Sequence, residues 1–387
     1  MSFFEVFKGE LKLIVTDVAL MLTVIGGVLL YSFLYPQPYV KQSVTKLPVS
    51  IVDYDHSQKS RDLIYKLAAT PQIKIVRYDM SKQDALEAIV ADEIKGVIII
   101  PAHFSRDLSL GHAPTVALGV DNSYFLIYGA LMEATLKSVM QEAGGSKAAK
   151  LLVHKTPMSA VKKELTPFSL NDIALFNRYG SYIQYVIPAV FILILQQTLL
   201  IGMGILGGGI NERMRKGIAG YYTKAKVWQM IVSRYLIFGG LFFMHMLYYF
   251  GFSFSFFGVT HLADMATLIA FSTLFLMAVL SFGLFLGALF REREIATPVI
   301  LFSSLPLVFS AGFVWPLESI PKPLYDLALL SPSTTAIQGF LKLNQMGATL
   351  TMLSTNSLIL LTQTVVYTIL GYYLIQKNQK RVLNGKI

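Results

Sequence analysis

Gly207–Arg234 reads GGGINERMRKGIAGYYTKAKVWQMIVSR, a basic, glycine-punctuated segment between two strongly apolar ones. It carries Arg213, Arg215, Lys216, Lys224, Lys226 and Arg234 against a single acid, Glu212. A Lys or Arg at the bilayer centre costs roughly 2.5–3.5 kcal/mol, so burying those between 213 and 226 would cost on the order of 12 kcal/mol or more. The segment therefore lies outside the hydrocarbon. Because it is short and basic, the positive-inside rule assigns it to the cytoplasm, and the remaining topology is counted from it.

Composition agrees with a membrane setting. Of 387 residues 54% are hydrophobic and only 14% charged, with a mean hydropathy of +0.56, whereas a soluble domain has about 25% charged residues. The formal charge of +10 does not point to nucleic acid, since the basic residues outside the large domain collect in short loops where orientation requires them. Cysteine is absent, which removes disulfides, thiolate metal sites and Cys nucleophiles together.

Residues 1–16 form an amphipathic interfacial helix on the cytoplasmic surface, with Phe3, Phe7, Leu11 and Ile14 at helical spacing as its apolar stripe. The first span occupies 17–35, with an uncharged core from Val18 to Tyr35; no small-x-small cleavage site follows, so it reads as an uncleaved anchor. From 36 to 180 the composition is that of an α/β domain outside the cytoplasm. Val49–Asp53, Ile73–Tyr78, Gly96–Ile100 and Thr115–Val120 are strand-like, while 57–70 and 81–93 between them are helix-like, which implies a mostly parallel sheet covered by helices. Residues 124–165 read as mainly helical with a break at Gly144 and Gly145, and Pro157 and Pro167 punctuate the return to the membrane.

Five further spans follow within 181–387, at 182–207, 230–257, 265–290, 295–313 and 357–375. With the N-terminus inside, each short cytoplasmic loop is basic: 207–234, the RERE of Arg291–Glu294, and a tail with Lys377, Lys380, Arg381 and Lys386. The fold class is thus an α-helical polytopic membrane protein of six transmembrane helices with an inserted α/β extracytoplasmic domain. The outer loop 312–347 carries Pro316, Pro321, Pro323 and Pro332 yet remains half apolar, too interrupted to span and too apolar for water. Two short helices dipping into the outer leaflet satisfy both limits.

Four stretches, in order, give the chain a resemblance to ABC-2 type transporter permeases of the exporter class with one N-terminal span, a large periplasmic domain and five C-terminal spans. VDYDHSQKSRDL (52–63) with GVIIIPAHFSRDLSLG (96–111) is similar to the outer-domain motifs. NERMRKG (211–217) resembles the start of the family's coupling helix, and FVWPLESIP (313–321) with LSPSTTAIQG (330–339) its re-entrant outer segment. The match covers essentially the whole chain. Two departures stand out: Gly220–Lys226 reads GYYTKAK where the family has an apolar stretch with a proline, and Asn177-Arg178 stands where it has Asn-Pro.

The resemblance implies a permease subunit that moves an amphipathic or hydrophobic substrate outward across a bacterial inner membrane, both termini cytoplasmic. It implies ATPase contacts at Glu212, Arg213, Arg215, Lys216 and Gly217, and an outer gate at Trp315, Pro316, Glu318, Pro321 and Pro332. It implies as partners a cytoplasmic ATPase subunit, a second permease subunit, identical or similar, a periplasmic adaptor and the lipid bilayer, and no nucleic acid. No G-x-x-x-x-G-K-[ST] occurs, so no cofactor is expected in this chain; ATP and Mg are expected on the partner ATPase. Neither a metalloprotease nor a serine-esterase motif is present.

Gln184, Gln196 and Gln197 fall roughly on one side of the second span and either line a pathway or bond helix to helix. His245, near the middle of the third span, lacks a carboxylate at helical neighbours and reads as a neutral hydrogen-bonding residue rather than a proton relay. Asp53, Asp55 and Ser57 read as a turn capping the next helix, not as metal ligands. Gly202, Gly204 and Gly207 are candidate contacts between two subunits. A receptor or scaffold explains the domain and spans but not a basic inner loop beside a re-entrant outer one, and a secondary transporter lacks intramembrane charge pairs and an internal repeat.

Overall fold

The computed structural model describes residues 1–39, 44–120, 125–153 and 181–383. They form two compact units, Met1–Gln42 with Ala174–Ile387, and Ser43–Ile173.

The second of these is a four-stranded sheet in the order β2-β1-β3-β4, with β1 at Leu47–Asp53, β2 at Ile73–Tyr78, β3 at Gly96–Ile100 and β4 at Ala117–Val120. β1 runs parallel to β2 and β3, with Ile51 opposite Ile98, and β4 is antiparallel to β3. Alternation along the strands fills both faces. Val49, Ile51, Ile98 and Ile100 pack on one face against α3 (Gln58–Ala68), α5 (Phe104–Leu110) and α6 (Phe125–Val153) through Leu63, Phe104 and Leu131. Val52 and Val97 meet Ala85 of α4 (Lys82–Val90) on the other.

The Asp53 turn is a cap, as expected. Its Oδ1 accepts from the backbone N–H groups of Asp55 (3.0 Å) and His56 (3.2 Å), and Ser57 Oγ accepts from Ser60 N–H at 3.1 Å to start α3. One expectation fails: α6 runs unbroken through Gly144 and Gly145. Glycine in a helix costs about 1 kcal/mol each, which a long helix of otherwise favourable residues absorbs. The expected helix end at Leu165, the punctuating Pro157 and Pro167, and the Asn177-Arg178 departure lie outside the described residues.

The other unit is helical, with six helices among the described residues long and apolar enough to cross a membrane. After α1 (Phe3–Thr16), α2 is α-helical over Val18–Met21 and Val28–Leu34 with a π-helical turn at Leu22–Gly27 between. α7 (Ile183–Arg215) is the central post, buried along almost its whole apolar length. Around it stand α9 (Val227–Leu247, continued by a π turn at Tyr248–Ser253 and by Phe254–Phe257), α10 (Met265–Leu289), α11 (Arg293–Ser310) and α14 (Ser354–Leu383). The stretch 312–347 forms two short helices, as its prolines predict: α12 (Lys322–Ala328) and α13 (Pro332–Met346).

The three glycines expected at a subunit contact are used inside the chain instead. A Cβ on Gly202 would strike Val24 and Phe238, one on Gly204 Ala296 and Phe290, and one on Gly207 the backbone of Gly287. They admit neighbouring helices to the central post, so this reading is corrected.

Candidate functional site

The basic segment is not one loop. α7 continues to Arg215, a single helical turn, α8, occupies Tyr221–Lys224, and α9 begins at Val227, which leaves only 216–220 and 225–226 outside helix. The charges in Glu212–Arg215 therefore sit on the last turn of a span.

That turn ends in a Schellman motif. Ile218 N–H donates to Arg213 O (3.0 Å), Gly217 N–H to Met214 O (3.1 Å), and Gly217 has φ +69°, the left-handed conformation that glycine adopts most cheaply. Glu212 and Lys216, one turn apart, pair at 2.5 Å. Arg215 Nη2 donates to Glu292 Oε1 and to Arg291 O, both at 3.0 Å. Asn211 Nδ2 holds the end of α10 by donating to Phe290 O at 2.8 Å. Arg213, Arg215, Lys216, Gly217 and Ile218 are exposed.

Everything beneath this exposed tip is anchored. Tyr222 is buried and its hydroxyl donates to Ile218 O at 2.9 Å. Gln379 Nε2 of α14 donates to Tyr222 O (2.8 Å) and Ala225 O (3.1 Å). The Tyr221 ring packs against Gly9 of α1, where a Cβ would come to 2.5 Å from it. GYYTKAK is thus the clasp between the turn, α1 and α14.

α1 packs by a different face from the one its sequence advertises. Val6, Glu10 and Ile14 are buried, whereas Leu11 is exposed and Phe3 and Phe7 are half-buried. Glu10 turns inward because Arg234 of α9 meets it, Nε to Oε1 at 3.1 Å. Burial pushes the Glu10 carboxyl up and the Arg234 guanidinium draws it back. Burial and the neighbouring Glu10 carboxylate push the Tyr221 hydroxyl far above its ordinary value, so it stays protonated. Gln229 Nε2 donates to Met1 O (3.2 Å), and the Phe3 and Trp228 rings stack at 6.1 Å. No reading of α1 alone could find this pair, because its two members are far apart in the chain; an acid on the polar flank of an amphipathic helix and an Arg at a span's start were the only signals.

On the opposite side of the unit, Gln196 caps α13: its Oε1 accepts Ser333 N–H at 2.7 Å and its Nε2 donates to the hydroxyls of Ser331 (2.8 Å) and Ser333 (2.9 Å). Gln184 donates to Gly258 O (2.9 Å) and accepts from Thr260 N–H (2.7 Å), and Gln197 bonds Ser304 of α11. Each of the three glutamines ties the central post to a neighbour. Gln196, Trp315 and Pro321 also border a mostly apolar cavity of about 570 Å³ between α11 and α12. Pro332 is buried as the first residue of α13, while Pro316 and Glu318 are exposed and Glu318 makes no ion pair among the described residues. His245 Nε2 lies 2.9 Å from Val24 O in the π-helical turn of α2, the interhelical hydrogen bond expected of it.

Residues 18–373 match the family described as ABC-2 family transporter protein. No curated protein matches the chain.

Proposed function

The chain belongs to the ABC-2 transporter family as a multi-pass permease, a type of subunit that lacks an ATPase domain and works with an ATPase partner, and on that premise we propose that it exports its substrate outward from a bacterial inner membrane. The observation that carries the reading is the clasped turn: an exposed, basic helix end whose underside is tied to α1, α10 and α14. A partner pushing on Gly217 moves all three together.

In this proposal the ATPase seats on the end of α7, with Arg215 and Lys216 at the contact, Glu212 positioning Lys216, Arg213 beside them and Gly217 making the turn. ATP and Mg bind the partner, and this chain holds no cofactor. Closure of the ATPase pair shifts the permease between two states, which requires ATP to favour one of them. A second permease subunit, identical or similar, completes the pathway, and the cavity between α11 and α12, apolar apart from Gln196 and a few serines, suits an amphipathic or hydrophobic substrate. Trp315, Pro316, Glu318, Pro321 and Pro332 form the outer gate, both termini are cytoplasmic, and the α/β domain meets a periplasmic adaptor.

The test is copurification of a P-loop ATPase with the solubilised chain. Glu212→Ala with Arg215→Ala should abolish it; undiminished binding overturns the docking assignment.

A further inference from the structure

Between the ends of α7, α10 and α14 lies a cavity of about 410 Å³ whose charged lining is Arg215, Arg291, Lys377 and Arg381. Among the described residues no carboxylate lines it. Arg215 is neutralised by Glu292, but Arg291, Lys377 and Arg381 make no ion pair among the described residues. At the end of α10, Ala288 O is already taken by Asn211 and Asn378, at 3.2 and 2.9 Å. Among the described residues, three exposed cations thus line one concave space with no carboxylate beside them, a like-charge arrangement that a bound anion would relieve.

The floor and the height of the cavity say which anion. Leu289, Phe290 and Leu374 form its apolar side, continuous with the spans. Tyr372 and Tyr373, both exposed, stand one turn before Lys377, where aromatic residues mark the junction of hydrocarbon and water. We infer that the cavity binds the phosphodiester of an anionic phospholipid from the surrounding leaflet, its acyl chains following α10 and α14 and its phosphate held by Arg291, Lys377 and Arg381. A free phosphate shares the charge but leaves the apolar side formed by Leu289, Phe290 and Leu374 uncovered; an acidic face of the partner ATPase is the alternative that the last arm of the experiment separates.

The experiment uses the full-length chain in detergent, with thermal stability and retained phospholipid (native mass spectrometry) as readouts. Phosphatidylglycerol should raise the melting temperature, and phosphatidylcholine or inorganic phosphate at equal concentration should not. Arg291→Gln with Arg381→Gln should weaken phosphatidylglycerol binding roughly fivefold for each charge removed. Arg291→Lys with Arg381→Lys should keep it, and Lys224→Gln, an exposed cation outside the cavity, should leave it unchanged. Equal stabilisation by inorganic phosphate, equal loss in Lys224→Gln, or full retention in the Gln pair overturns the assignment. So does a Gln pair that sheds the copurifying ATPase while retaining lipid, since the cavity would then face protein.

Discussion

Glu10 and Arg234 form an ion pair, Nη2 to Oε1 at 3.1 Å, in which the side chains are 0% and 3% exposed. It fastens the N-terminal helix to the third span directly under the turn proposed to receive the ATPase. Removing one member of a buried pair leaves the other uncompensated and costs about 3–5 kcal/mol, whereas replacing both with apolar residues is often nearly neutral. Glu10→Ala and Arg234→Ala should each lower the unfolding midpoint markedly, and Glu10→Leu with Arg234→Met should recover most of the loss. Additive effects in this cycle would show that the pair does not act as a unit.

Gly217 ends α7 with φ +69° and nothing within 4 Å of a Cβ placed on it. The cost of Gly217→Ala is therefore conformational, roughly 1–2 kcal/mol, and Gly217→Asn should cost less because Asn visits that region. Loss of ATPase copurification in the Ala variant with recovery in the Asn variant is the expected pattern; equal behaviour of the two would contradict it.

At Gly207 the constraint is space instead. A Cβ there would lie 2.7 Å from Gly287 Cα, backbone against backbone, so Gly207→Ala must separate α7 from α10. Overpacking of this kind costs about 1–3 kcal/mol. Gly240→Ala, with nothing within 4 Å, is the matched control and should be neutral or stabilising in the same thermal assay.

Gln196→Leu leaves the buried Ser333 N–H without its acceptor, at a cost of about 1–3 kcal/mol. Since that bond holds the start of α13, limited proteolysis between 312 and 331 should accelerate in the variant. Unchanged cleavage would mean that Pro332 and the burial of α13 suffice.

In the α/β unit, Glu142 of α6 is 3% exposed and paired with Lys59 (3.2 Å) and Lys66 of α3. Burial raises its carboxyl, but hydrogen bonds from Lys66 and Lys59 prevail and the net direction is downward. A depressed acid contributes stability above its unfolded value, about 4.3, and loses it as pH falls through the folded value. Amide exchange in Gln58–Ala68, corrected for its intrinsic rate, should therefore lose protection on acidification in the parent alone; Glu142→Gln should be weakly protected at every pH.

Much of the fold is legible in local pattern. The charge-free runs find the six candidate spans, four of them to within four residues at both ends, and β2 and β3 fall where their apolar runs end at turn residues. Asp53, Ser57 and His245 behave as expected because each makes its bond through a short-range motif or has only one economical option inside a span. The end of α7 was harder: hydropathy drops at Gly207, but helical hydrogen bonding does not require an apolar side chain, so the helix passes through the charges to Arg215. Gly144 and Gly145 misled for the related reason that glycine permits a break without imposing one.

The sequence by itself determined which segments enter the membrane, where the α/β unit is inserted and which helix end is basic, because transfer energies and hydrophobic period act residue by residue along the chain. Only the tertiary structure decided which face of α1 is buried, that Gly202, Gly204 and Gly207 serve packing within the chain, what the three glutamines bind, and that Arg291, Lys377 and Arg381 share one cavity. Those facts depend on residues brought together from distant positions, and no local energy distinguishes the partner each will meet until the helices have packed.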